Sequence, residues 1–178
     1  MKRTMTLTRR LCLFAPATIL AACGFRPVYM STATGKPGPA QRDLASIYVE
    51  LIPERPGQLL RQALQERFGS DAAGQPLAYD LHVSFSISGA GIAIVSNTAP
   101  TRIRLTGTAT WTLSDRTPKR ATITRGSARS VDGFDIQDQQ YFASDLSNEV
   151  VQRRLAEAVA DQIALQLAVY FRRQAGLT

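Results

Sequence analysis

Residues 79–87 read Tyr-Asp-Leu-His-Val-Ser-Phe-Ser-Ile, and the alternation within them decides the fold. Tyr79, Leu81, Val83, Phe85 and Ile87 point one way, and Asp80, His82, Ser84 and Ser86 point the other. This is the period-2 pattern of a strand with one face buried and one solvated. Beyond Ser88-Gly89-Ala90-Gly91 the large apolar residues move to even positions, Ile92 and Ile94, as a β-bulge or sharp bend across those glycines would require. Pro100 marks a turn region. Residues 101–113 (TRIRLTGTATWTL) resume the alternation, with Ile103, Leu105, Ala109, Trp111 and Leu113 inward and Arg102, Arg104, Thr106, Thr108, Thr110 and Thr112 outward. After Asp115-Arg116-Thr117-Pro118, residues 121–131 form a weaker strand carrying Arg125 and Arg129, and Asp132-Gly133 closes the sheet. Short connections make these three strands a meander.

Upstream, residues 46–52 alternate with Ile47, Val49 and Leu51 on one side, a strand ended by Pro53. After Pro56-Gly57, the four-residue spacing of Leu60, Leu64 and Phe68 predicts a helix that stops at Gly69. From Ser144 to Arg173 the spacing of Leu155, Val159 and Ile163, flanked by Val151, Ala158 and Gln162, predicts one long helix. Ser144 or Asp145 would cap it, Arg153, Arg154, Glu157 and Asp161 fill its far face, and Arg172 and Arg173 complement its negative end. The order strand, helix, three strands, helix implies an α+β domain: a single four-stranded sheet, mixed or antiparallel, with two α-helices packed on one face.

The N-terminus is different in kind. Lys2, Arg3, Arg9 and Arg10 precede an apolar run over residues 11–22, too short for the roughly 20 residues of a spanning helix. The expected organisation is a signal peptide over 1–22, a lipidated N-terminus and flexible linker over 23–43, and the α+β domain over 44–178. The linker reading rests on residues 30–43 (MSTATGKPGPAQRD), which hold two Gly, two Pro and no apolar period. Leu20-Ala21-Ala22-Cys23 resembles the bacterial lipobox, which makes Cys23 the lipidated residue. Two or three acyl chains anchor firmly where one anchors only marginally. The whole chain carries 21 Lys+Arg and 14 Asp+Glu, but the first 22 residues take four bases and no acid, leaving 17 against 14. With a charge of about +3 a nucleic-acid partner loses its electrostatic support. Cys12 leaves with the signal, so Cys23 is the one cysteine of the mature chain and no disulfide framework is available.

The mature start, Cys23-Gly24-Phe25-Arg26-Pro27-Val28-Tyr29, resembles the C-G-F-x-[PL]-x-Y opening of the LptE family of lipopolysaccharide-assembly lipoproteins. The resemblance covers seven residues, and the order of elements behind it agrees. It implies a lipoprotein anchored on the periplasmic side of the outer membrane. There it would act as plug and assembly partner of a lipopolysaccharide-exporting β-barrel, with lipopolysaccharide itself as a further ligand. Gly24 after the cysteine fits sorting to the outer membrane. Phe25 and Tyr29 have a plainer alternative, aromatic packing against the core. The competing envelope role is the accessory lipoprotein of a lipid-transport ABC system, and the competing class a membrane-anchored hydrolase.

The outward strand positions are dominated by Ser and Thr, a composition that suits a solvated sheet face and equally a wall lying in a polar barrel lumen. Arg102 and Arg104, two residues apart on one side, and Arg125 and Arg129, also on one side, are the candidates for gripping lipid phosphates through forked charge-assisted bonds. His82, the single histidine, sits beside Asp80 at an outward position and reads as a surface residue rather than a base. No G-x-S-x-G, metal-ligand spacing or phosphate-cradling glycine loop is present, and Gly89-Ala90-Gly91 lacks the third glycine and following helix of a dinucleotide site. Neither catalysis nor a metal or cofactor is expected.

Overall fold

The computed structural model describes residues 38–69, 76–94, 100–136 and 141–176. The expected signal peptide, Cys23, the 23–29 motif and the expected linker to residue 37 lie outside the described residues, as does the connection 95–99 beside Pro100. Among the described residues seven elements follow one another: α1 (Pro39–Ala45), β1 (Ile47–Val49), α2 (Glu54–Phe68), β2 (Tyr79–Ile94), β3 (Pro100–Asp115), β4 (Thr122–Asp135) and α3 (Tyr141–Gln174). One four-stranded sheet has the order β1-β2-β3-β4. β1 runs parallel to β2, joined by the α2 crossover that a parallel pair requires, and the other pairs are antiparallel.

The β2–β3 register sets Leu81 opposite Leu113, Val83 opposite Trp111 and Phe85 opposite Ala109. The expected inward rows therefore coincide, and all but the half-buried Phe85 are buried. Burying each large apolar side chain contributes roughly 1.5–3 kcal/mol. On α3 the buried residues Val151, Leu155, Val159, Ile163, Leu167 and Phe171 recur every four positions. Ala156, Ala160, Ala164 and Ala168 lie one position on, so the helix face is small enough to approach the sheet closely. α2 adds Leu60, Ala63, Leu64 and Phe68 and ends at Gly69, whose φ of 65° is the left-handed cap the sequence predicts.

Several expectations are corrected. Residues 39–45 are helix rather than linker, because Ala40 and Leu44 are buried against α3 and α2, and Pro39 sits at the first turn where its missing N–H costs nothing. Among the described residues α1 thus joins the two longer helices, which pack on one face of the sheet as expected. Leu51 is 72% exposed and Ile52 is buried, since β1 ends at Val49 and the chain leaves the sheet to begin α2. α2 itself starts at Glu54 and runs through Pro56-Gly57, which its first turn accommodates. β2 continues paired through Ser88–Gly91, and the register shifts fall between Gly91 and Ile94. The side chains of Ile92 and Ile94 lie outside the described residues. β4 passes straight through Asp132-Gly133 to Asp135, and α3 begins at Tyr141, ahead of Ser144.

Candidate functional site

The face of the sheet turned away from the helices is the candidate site, and register builds it. Rows of side chains cross three strands: Ser84, Thr110 and Ser127; Ser86, Thr108 and Arg129; Ser88, Thr106 and Val131; His82, Thr112 and Arg125. Ser84, Ser86, Ser88, Thr108 and Thr110 are exposed, and Thr106 and Thr112 partly so. The result is a broad surface rich in hydroxyls.

All four arginines lie on this face, and all are exposed. Arg102 and Arg104 are two residues apart, about 7 Å along the strand. Arg102 Nη1 is 3.1 Å from Asp135 Oδ1, which holds it at the strand end. Arg129 lies opposite Thr108, four residues from Arg104, and Arg125 lies a further four on, steps of about 13 Å each. The face therefore presents one close pair and two separate cations, too far apart for all four to meet on one phosphate.

Behind that pair the sheet's other side is apolar. Ile87, Ile103, Leu105, Phe134, Val151 and Leu155 form a second cluster at this end. An open hollow of about 280 Å³ adjoins it, lined by Phe134, Leu146, Ser147, Val150, Val151 and Arg154. Leu146 is 66% exposed and Val150 48%. Arg154 Nε reaches Asp132 Oδ2 at 2.9 Å. The arginine pair and the apolar hollow therefore lie at one end of the hairpin but on opposite faces of the sheet.

At the other end a polar cluster appears that the sequence did not reveal. Asp80, expected outward and solvated, is 7% exposed because Arg116 Nε lies 3.2 Å from its Oδ1 and the Arg116 guanidinium stacks 5.1 Å over the Tyr48 ring. Register alone could have placed Tyr48 and Asp80 side by side. His82 Nδ1 pairs with Glu50 Oε2 at 2.9 Å and remains largely exposed, a surface contact as expected. Nearby, burial pushes the Asp43 carboxyl above its ordinary value against a smaller opposing pull from Arg42. Burial also raises the Tyr79 phenol, aided by Asp43, Tyr170 and Asp115. Among the described residues no three His, Cys, Asp or Glu side chains gather as a metal site would need, and no helix is long and apolar enough to cross a membrane.

A family model described as LptE, lipopolysaccharide-assembly, matches residues 44–167. A search of curated proteins returns no match. Among solved structures, a Caulobacter crescentus CB15 chain described as a lipoprotein superposes with a TM-score of 0.60 at 25% identity, covering 74% of this chain and 95% of its own. A minor lipoprotein from Acinetobacter baumannii gives 0.55 at 18% identity, over 70% of this chain and 90% of that one. The rare lipoprotein B of Shewanella oneidensis gives 0.54 at 10% identity, over 72% and 98%. The last two support the fold alone.

Proposed function

Since this chain belongs to the LptE lipopolysaccharide-assembly family, we propose that it is anchored to the outer membrane through Cys23 and serves as plug and assembly partner of a lipopolysaccharide-exporting β-barrel. The observation that carries the reading is the open face: Ser and Thr rows in register across β2, β3 and β4, left uncovered by the helices. Such a face remains soluble while the protein crosses the periplasm, because its hydroxyls bond water. Against the polar lining of a barrel lumen it exchanges those bonds for protein ones at little cost. Lipopolysaccharide is the second ligand. Arg102 and Arg104, adjacent on the open face, take its phosphate.

Photo-crosslinking residues at Ser86, Thr106 and Thr108 on the face, and at Glu157 on the solvent side of α3, test the first part. A plug is surrounded, so several of these sites trap one large outer-membrane β-barrel. No barrel crosslink from any site, with the protein folded and lipidated, refutes the plug and favours the transport-accessory reading. For the second part, the double change Arg102→Glu and Arg104→Glu weakens lipopolysaccharide binding, and the wild-type advantage shrinks as salt rises past 0.1 M, where screening acts within about 10 Å. Undiminished binding by the double variant removes the pair from the site.

A further inference from the structure

The two edges of the sheet are treated differently. Along β4, side chains of α3 occupy the ladder. Gln162 Oε1 accepts from the Arg129 N–H at 3.2 Å, its Nε2 donates to the Arg129 carbonyl at 3.0 Å, and Gln166 Nε2 donates to the Ser127 carbonyl at 3.0 Å. Arg125 and Arg129 add charge to the same strand. Along β2, the three residues of β1 pair only with Tyr79, Asp80 and Leu81, and the last bond runs from the Glu50 N–H to the Leu81 carbonyl at 3.0 Å. The N–H and C=O of a strand residue point to the same side, so the direction seen at Leu81 repeats at Val83, Phe85, Ile87, Gly89 and Gly91. Among the described residues no strand pairs with these five. Residues 83–91 contain no charge and no proline, two of the usual guards on an exposed edge.

We propose that the edge of β2 from Val83 to Gly91 receives an extended segment of a partner protein as an added strand. Donors and acceptors repeating about every 7 Å along a line are matched by another extended backbone and by little else. The flanking side chains define the segment. On the helix side it adjoins the half-buried Phe85 and Ile87, so its residues there are apolar. On the open side it adjoins exposed Ser84, Ser86 and Ser88, so those are small or polar. No charge stands ready to pair, so its centre is uncharged. The inference concerns the sheet's edge and holds or fails separately from the reading of its face.

The test places a photo-crosslinking residue in turn at Ser84, Ser86 and Ser88 of the full-length chain in native membranes and maps the trapped positions residue by residue. Strand addition moves the trapped position by two residues in one partner segment for each two-residue step here. In the purified complex the amides of Val83, Phe85, Ile87, Gly89 and Gly91 exchange at least tenfold more slowly than in the protein alone. Ile87→Lys, which puts a charge on the edge, abolishes the Ser86 crosslink; if that variant unfolds, Ser86→Lys is judged by amide exchange instead. Trapped positions without the two-residue step, unchanged exchange in the complex, or crosslinks solely between two copies of this chain overturn the proposal. Barrel crosslinks from Thr108 alongside any of those results leave the proposed function standing while removing this one.

Discussion

Gly126 lies directly opposite Trp111 on the helix side of the sheet, and replacing it with alanine tests the packing there. A Cβ at this position would sit 2.5 Å from Trp111 Cζ2, 2.8 Å from Cε2 and 3.0 Å from Gln166 Oε1. Trp111 is 5% exposed, so the ring has no solvent to retreat into and must be pushed against α3. Overpacking of this kind costs about 1–3 kcal/mol. Moving the ring also stretches the hydrogen bond from Trp111 Nε1 to Gln166 Oε1, now 3.2 Å, worth about 1 kcal/mol. Against this, alanine is favoured over glycine inside a strand by roughly 0.5–1 kcal/mol. The net loss is about 1–3 kcal/mol. With unfolding entropy near 2.1 cal/mol/K per residue over roughly 135 residues, this lowers Tm by about 4–11 °C in a thermal melt. In a Trp111→Phe background, where the outer ring is gone, Gly126→Ala costs much less, so the two changes are non-additive. An unchanged or higher Tm for Gly126→Ala, or the same loss in both backgrounds, refutes the close packing of tryptophan, strand and helix.

Three further outcomes are expected. Cys23→Ser leaves an unprocessed or unlipidated precursor, since no other group in the mature chain forms the thioether; mass spectrometry of the N-terminus decides, and an unmodified Cys23 in the wild type removes the anchor. Arg116→Ala leaves the buried Asp80 carboxylate without its partner and costs about 1–2 kcal/mol in urea denaturation, more than Asp80→Asn. Asp43→Asn stabilises the protein at pH 7 and not at pH 3: burial raises this carboxyl in the folded state, so the fold binds the proton more tightly, and stability falls as pH rises through the carboxylate range until it levels off above the folded value. Equal urea midpoints for wild type and variant at both pH values count against it.

Local sequence carried the central elements because period alone states which side of a strand or helix is apolar. The alternation of Tyr79–Ile87 and 101–113 and the four-residue spacing in α2 and α3 needed no partner to be read, and the order of elements implied both the crossover and the meander. The opening motif pointed to the family that the match over residues 44–167 then identified. What local pattern could not state is what a segment touches. The seven-residue α1 is too short to hold itself together in water and exists because Ala40 and Leu44 are buried against other helices. Asp80 is inside because Arg116 and Tyr48, distant in sequence, cover it. Arg102, Arg104, Arg125 and Arg129 share a face by strand parity, but only the β3–β4 register spreads them into one pair and two single charges. Only the fold lays Gln162 and Gln166 along the β4 edge, and among the described residues the unpaired stretch of β2 follows from the brevity of β1. These features depend on contacts between residues far apart in the chain, whose free energy appears only when the elements pack together.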